Sequence, residues 1–496
     1  MKNQIVPAKF YILAVLVVGI LIRIPILTDP ALLIDGDEAV IGLMANDWLN
    51  GRPFPTYFIG QQYGFSALEA CTAGLFFSLF GMTDWALKLS SLAIWLTGIV
   101  FFYKALVQFK PDKKNLAFIV SLILVTAPTW LFWAMKSRGG YISAFTFSAV
   151  LLFLITKKEI WSNPRAIAVG GSFALISQFQ SLWLISLLPV GLYFIFKSGQ
   201  LAQLKFIIVG FLGTLLPLLL LKFKQPNIWN PNILRFDNDP LTWISNLPDV
   251  LLHHFSGTYY LGSLKETEWP ALLFSGVIIL GLVFALAFQI RQSVKTKNWY
   301  SLNNFLVISV GANILITLFL IPGARYVLPV LSIGVFLLFN LSAELKKASF
   351  LFPVFLLVSS ITASLSKPFS NKTDTYKFET QLTKKTMTKV LAALKTEDVS
   401  NIFVFNGMGQ YQIMFYGQGE INARYLLEKD RMQNRINAVA KAFNEKEKTV
   451  FVLLKTEDRQ HFSESKLKHP SETVSLVINP SISELEIFGF ETSDLK

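Results

Sequence analysis

The chain has 496 residues, is 53% hydrophobic and only 16% charged, and has a mean hydropathy of +0.49. So much apolar surface cannot be hidden inside one water-soluble core, which excludes an ordinary soluble globule, and the single cysteine, Cys71, excludes a disulfide scaffold or a cysteine-based zinc site. The formal net charge of +13 divides into +11 for residues 1–366 and +2 for residues 367–496; this is not the pattern of a nucleic-acid binder, because basic residues of a membrane protein gather in cytoplasmic loops.

Charge density separates two parts. Residues 1–366 hold 26 Lys/Arg and 15 Asp/Glu, about 11% of positions, whereas residues 367–496 hold 19 and 17, about 28%. In chain order, apolar runs of spanning length lie near 10–28, 85–104, 115–135, 141–156, 165–181, 182–197, 204–221, 269–290, 301–321, 326–343 and 349–366. The first follows Lys2 and Lys9 and has no small-residue cleavage site after it, so it is read as a retained helix. Another run, 64–81, is interrupted by Ser66, Glu69, Thr72 and Ser78. If it does not span, the inner loops hold 16 Lys/Arg and the outer ones 8; if it does, the basic clusters 110–114 and 291–297 are translocated. The positive-inside rule therefore favours eleven spans, a cytoplasmic N-terminus and an extracytoplasmic tail at 367–496.

Acids follow the opposite rule. On this topology twelve of the fifteen acids before residue 366 lie outside, seven of them in the first outer loop, 29–84: Asp29, Asp35, Asp37, Glu38, Asp47, Glu69 and Asp84. Carboxylates at a lipid boundary cost desolvation, so a working face directed outward is inferred. Within this loop Asp37 is predicted to cap an amphipathic helix, 38–50, that lies in the membrane interface. Asn50-Gly51 ends it, and a second interfacial helix, 64–81, follows. Glu69 sits inside that apolar helix, where an unpaired carboxylate is expensive.

Further along, Lys136 and Arg138 face outward against the prevailing charge rule, beside Gly139-Gly140, which would let backbone approach a ligand closely. Arg325 begins an outer helix after Pro322-Gly323. Guanidinium forks suit phosphate oxygens, and Tyr141 and Tyr326 stand next to these cations, positioned to touch substrate. The long outer loop 222–268 contains His253 and His254; one of them, His254 in particular, is a candidate to join Glu69 on a divalent metal cation. The tail alternates predicted helix (378–396, 430–446) and strand (401–405, 449–454, 473–478, 485–489), which makes it a small α/β domain. It carries no phosphate loop or nucleophile elbow, so acceptor binding or capping is expected of it.

The first outer loop carries a family resemblance. Asp37-Glu38-Ala39 after the first span, a helix ending at Gly51, an aromatic and Gly-Gln stretch, and an apolar helix ending Phe80-Gly81 with Lys88 soon after resemble the type C glycosyltransferases. More narrowly they resemble glycosyltransferase family 39 with its bacterial relatives, the protein O-mannosyltransferases and lipid A aminoarabinose transferases. Gly323-Ala324-Arg325-Tyr326-Val327-Leu328-Pro329 is similar to a late Arg-Tyr-x-x-Pro segment of such chains. The resemblance implies a polytopic α-helical membrane protein of the GT-C type. It also implies an enzyme of the plasma (inner) membrane, working between a polyprenyl-phosphate-linked sugar donor and an extracytoplasmic acceptor (glycolipid, envelope glycan or protein). It assigns Asp37 as general base and Glu38 as its catalytic companion; beside them, Asp35, Gln61, Tyr63, Glu69, Lys136, Arg138, Tyr141, Arg325 and Tyr326 are the substrate-binding candidates among the residues themselves. The sequence departs from many relatives at Gln61-Gln62-Tyr63-Gly64 and in the acid-free loop 134–141. A transporter or flippase for a lipid-linked or anionic substrate is the reading of a different class; it would place charges at the bilayer midplane and show repeats.

Overall fold

A computed structural model describes residues 7–224, 251–257, 269–319, 324–366, 383–454 and 460–491, less short gaps within these ranges. The apolar runs fold as helices: α1 (Ala8–Leu21) and its short continuation α2 (Ile24–Leu27), α3 (Gly36–Leu49), α4 (Ala67–Phe80), α5 (Asp84–Phe109), α6 (Lys114–Thr126), α7 (Pro128–Trp133), α8 (Tyr141–Ile155), α9 (Asn163–Phe179), α10 (Ser181–Lys197), α11 (Leu204–Lys224), α12 (Trp269–Thr296), α13 (Leu302–Phe319), α14 (Leu328–Glu344) and α15 (Leu351–Leu365). Among the described residues, Lys9–Leu27, Asp84–Phe109, Gln200–Lys224 and Trp269–Thr296 are long and apolar enough to cross a membrane. Leu212, Leu216 and Leu220 on α11, and Leu280 and Phe284 on α12, point outward as lipid-facing residues do. The chain is a multi-pass membrane protein.

Inside the bundle the packing depends on close contact, since lipid supplies no hydrophobic force between helices. α9 and α11 cross at Gly170 and Gly210: a Cβ on either would stand 1.9 Å from the carbonyl oxygen of Ile207 or 2.0 Å from that of Ile167. Arg23, in the break between α1 and α2, is fully buried; it donates to the carbonyls of Gly19 and Trp130 and lies over Trp95. The predicted run 115–135 is two helices, because Pro128 forces Ala127 into an extended conformation (ψ 128°). That break redirects the chain into the loop 134–140, which reaches the acids of the first loop.

The tail begins with α16 (Lys384–Thr396) and continues as β1 (Asn401–Val404), α17 (Gly407–Tyr416), β2 (Asn422–Arg424), α18 (Gln433–Asn444), β3 (Thr449–Leu453), β4 (Leu467–Lys468), β5 (Ser475–Ile478) and α19 (Ile482–Glu486). The sheet order is β2-β1-β3-β5-β4; the first three strands are parallel, and β5 runs antiparallel to β3 and β4. Residues alternate between faces with the period of two that strands impose. Ile402, Val404, Val450 and Val452 point to one core, and Phe403, Phe451 and Leu453 to another. The first of these cores is shared: it includes Leu33, Ile34, Val40, Leu43 and Met44 from the start of α3 and its approach. The tail therefore completes its interior on the first loop.

Several sequence expectations are corrected here. The segment 485–489 is not a strand; Ser481 and Glu484 form a capping box that starts a short helix at Ile482. Helix 38–50 begins at Gly36, and its first ten residues have no exposed polar face, because Gly36–Ala45 are buried under α17 and against α4. Helix 64–81 begins at Ala67, and it turns Leu75, Leu79 and Phe80 outward.

Candidate active site

The acids meet at the N-terminus of α3. Asp35, and not Asp37, is the cap: its Oδ1 accepts from the amide of Glu38 at 2.8 Å, while Glu38 Oε2 accepts from the amide of Asp35 at 3.1 Å. This reciprocal box satisfies two otherwise unpaired donors and fixes the backbone of residues 35–38. Asp37 falls in the first turn, where the helix dipole favours a carboxylate. All three acids are buried.

Each acid has a cation. Lys136 Nζ lies 2.5 Å from Asp35 Oδ2. Arg138 spans two acids, with Nη2 2.7 Å from Asp37 Oδ2 and Nη1 3.7 Å from Asp35 Oδ2. Lys88 of α5 places Nζ 2.5 Å from Glu38 Oε1, with both side chains out of water. Burial raises the Glu38 carboxyl above the usual range and Asp35 adds to the rise, while Lys88 and Lys136 pull it back. Lys136 and Arg138 are thus held by the acids of the first loop.

The loop that carries these two cations is held from behind. Gly139 and Gly140 have positive φ (58° and 82°). Their lack of side chains serves contact with the chain itself: Gly139 lies against Gly64, and Gly140 against the backbone of Phe179. Gln180 Nε2 donates to the Gly139 carbonyl at 2.5 Å, and Ser137 is hydrogen-bonded to Ser91. At Gly64, φ is 79° and an added Cβ would stand 2.6 Å from the Gly139 carbonyl oxygen. Gly64→Ala is expected to lower stability by about 2–4 kcal/mol, from left-handed strain plus overlap with backbone that cannot yield. A thermal midpoint equal to that of the unmodified protein would show that the two loops are not in contact.

Glu69 lies behind the same loop. It is fully buried in α4 and accepts from Ser143 Oγ at 3.1 Å. Burial pushes its pKa up to about 7, against the bond to Ser143 and the backbone of the 138–143 turn, which lower it. The unfolded chain releases this proton near 4.5, so between about 4.5 and 7 the folded form holds the extra proton. The contribution is fully present below 4.5 and is lost as pH rises through 7. Replacing Glu69 by Gln should remove this slope, worth on the order of 3 kcal/mol. Thermal melting across pH 4–8 measures it, and parallel slopes for both proteins would contradict the assignment.

Other candidates lie elsewhere or outside the described residues. Tyr141 opens α8 beside the loop, its ring 5.3 Å from that of Trp133. Arg325 lies over Tyr326, 5.0 Å from the ring, with Nη2 3.0 Å from its hydroxyl. Gln61, Tyr63 and His253 fall outside the described residues. His254 is buried in a segment fixed by Thr129 Oγ1, which donates to the His254 carbonyl at 2.6 Å. Among the described residues no group of three or more His, Cys, Asp or Glu side chains could hold a metal ion, so the expected pairing of Glu69 with His254 finds no third ligand there.

The sequence pattern gives Lys88 a place after the first loop but no sign that it partners Glu38. Glu38 buried by tertiary contact demands such a cation, and the sequence alone does not show that burial. Nor does it show α17, whose Gln412 and Tyr416 bond the backbone just before the acids.

No family model matches the chain, and no curated protein does. Solved structures do. ArnT from Cupriavidus metallidurans in the apo state superposes with a TM-score of 0.62 at 12% identity, over 95% of this chain and 98% of that one. The same protein bound to undecaprenyl phosphate gives a TM-score of 0.62 at 11% identity, over 96% and 99%. A likeness that runs through both the helical bundle and the C-terminal sheet is a likeness of the whole architecture: this chain has the fold of ArnT, the type C glycosyltransferase fold that its first loop resembles.

Proposed function

We propose that the chain is an inverting glycosyltransferase that moves a sugar from a polyprenyl-phosphate carrier to an acceptor on the outer face of the plasma (inner) membrane. The carrying observation is Asp37: a buried carboxylate in the first turn of a capped helix, gripped by Arg138 within a cluster of three acids and three cations. Such an array is preorganised to handle a charged leaving group in a site screened from water.

The reaction fits these groups. An acceptor hydroxyl attacks the anomeric carbon while Asp37 takes its proton. The bond from that carbon to the phosphate oxygen breaks, and the electron pair leaves with the polyprenyl phosphate. Lys136 and Arg138 offer the positive charge that a departing phosphate needs, and Arg138 can exchange its bond to Asp37 for one to phosphate, which frees the carboxylate to act as base. Glu38 keeps the turn in place. Glu69, which changes protonation near neutral pH, is suited to bind sugar hydroxyls.

The reading is supported by the whole-chain likeness to a protein crystallised with undecaprenyl phosphate, and by the excess of acids in the outer loops. In this orientation residues 1–366 form the transferase and residues 367–496 stand outside with the acceptor. Mass spectrometry of envelope glycolipids and glycoproteins, with and without the chain, tests it: loss of one glycan and accumulation of its lipid-linked donor are expected. An unchanged glycan profile would sink the reading.

A further inference from the structure

We propose that α17 of the C-terminal unit is a positioning element for the acid cluster, acting through Gln412 and Tyr416 on the backbone of Ile34. The proposal rests on the reading of that cluster as the site of sugar transfer, and it gives the tail a part in the chemistry beyond capping or acceptor binding.

Ile34 immediately precedes Asp35, the cap of α3. It is fully buried, so its amide and carbonyl need partners inside the protein. Both come from α17, more than 370 residues away. The Ile34 amide donates to Tyr416 Oη at 3.2 Å, and Gln412 Nε2 donates to the Ile34 carbonyl at 2.5 Å. Gln412 is itself fully buried. Two bonds on the amide and carbonyl of one residue fix its position and its rotation.

Tyr416 also reaches the other side of the cluster. Its hydroxyl donates to Asp84 Oδ2 at 3.4 Å. Asp84 stands one turn before Lys88 on α5, and Lys88 holds Glu38. One phenol thus references both partners of the Glu38–Lys88 pair, from the α3 side through Ile34 and from the α5 side through Asp84. Lys384 completes the junction, paired with Asp84 and lying 4.7 Å from the centre of the Tyr416 ring. Burial and the carboxylate of Asp84 push the Tyr416 pKa well above its ordinary value, so the hydroxyl keeps the proton that it donates. Phe415 presses on α3 at Gly42, where any Cβ would stand 2.3 Å from its ring. Displacement of a catalytic group by about 1 Å costs on the order of a hundredfold in rate, so this clamp lies within reach of the chemistry.

The test compares four purified full-length proteins: the unmodified chain, Tyr416→Phe, Gln412→Leu and Arg435→Met. Arg435 belongs to the same junction, 3.0 Å from Asp47, but does not touch residues 34–38. Hydrogen–deuterium exchange of peptides over residues 33–40 should quicken about tenfold in the first two variants and stay unchanged in Arg435→Met, with the rest of the chain protected as before. The probes for function are binding of undecaprenyl phosphate, and turnover of whichever of undecaprenyl-phosphate mannose, glucose or aminoarabinose the unmodified protein accepts. Tyr416→Phe and Gln412→Leu should lose about ten- to a hundredfold in kcat, with KM for the donor within about threefold and carrier binding retained. Unaltered exchange at 33–40, a uniform rise over the whole chain, an equal effect of Arg435→Met, or full kcat in both variants would each overturn the proposal. If the unmodified protein turns over none of the donors while the 33–40 segment still loosens, the transferase reading fails and the clamp stands.

Discussion

Asp37→Asn should lower sugar transfer by about a thousandfold, while the protein still folds, with a lower thermal midpoint, and still binds undecaprenyl phosphate. General-base removal costs about 10²–10⁴ in rate, and the substitution keeps the shape of the side chain while removing its charge. Asparagine keeps an oxygen for Arg138, which lies 2.7 Å from the present carboxylate. Asp37 does not cap α3, because Asp35 does, so the helix start is untouched. The loss in kcat should therefore far exceed what the weakened Arg138 pair costs in stability, and it is read on protein that is folded at the assay temperature. Transfer within tenfold of the unmodified protein would remove Asp37 from the mechanism. Asp35→Asn, by contrast, weakens both the pair with Lys136 and the attachment of the loop, so its losses would mix folding with rate.

The largest effect on stability is expected at Lys88. Its ammonium and the Glu38 carboxylate are both buried, and removing one partner of such a pair leaves an uncompensated charge. Lys88→Met should cost about 3–5 kcal/mol, read as a lower thermal midpoint and lower yield of folded protein. Adding Glu38→Gln to that variant should restore most of the loss, because glutamine keeps an oxygen for the Asp35 amide and carries no charge to bury. Equal midpoints for the single and double variants would show that Glu38 is not the group left exposed to the penalty. Activity need not return with stability, since the cluster would still have lost one anion and one cation.

These expectations separate what the residues announce locally from what the fold assembles. The apolar runs were legible because a stretch of twenty apolar residues reports its own environment. Run 85–104 is the core of α5, and run 269–290 that of α12. The concentration of acids in 29–84 was legible for the same reason. The cap was legible too, since Asp35-x-x-Glu38 is a capping-box spacing; reading Asp37 as the cap overlooked the reciprocal acid three residues on. The helix at Ile482 carried the same kind of signal in Ser481-x-x-Glu484.

Other features had no local trace. In the sequence Asn46 and Asp47 of α3 fall opposite an apolar stripe, which is the spacing of an amphipathic helix. Yet its first ten residues are buried on all sides, and the cover comes from Phe415 and its neighbours in a segment bounded by glycines that gave no helical signal. That Lys136 and Arg138 pair with Asp35 and Asp37 leaves no trace in the sequence around them.

Hydropathy, charge bias and cap spacing are sums over neighbours in the chain, so the sequence by itself determined that this is a helical membrane protein with an acid-rich first loop and an α/β tail. Which cation meets which acid, and which surface the tail covers, depend on contacts between residues 50 to 382 positions apart. Pattern in one segment cannot encode the position of another, so only the tertiary structure decided that Lys88, Arg138 and Tyr416 converge on the first turn of one helix.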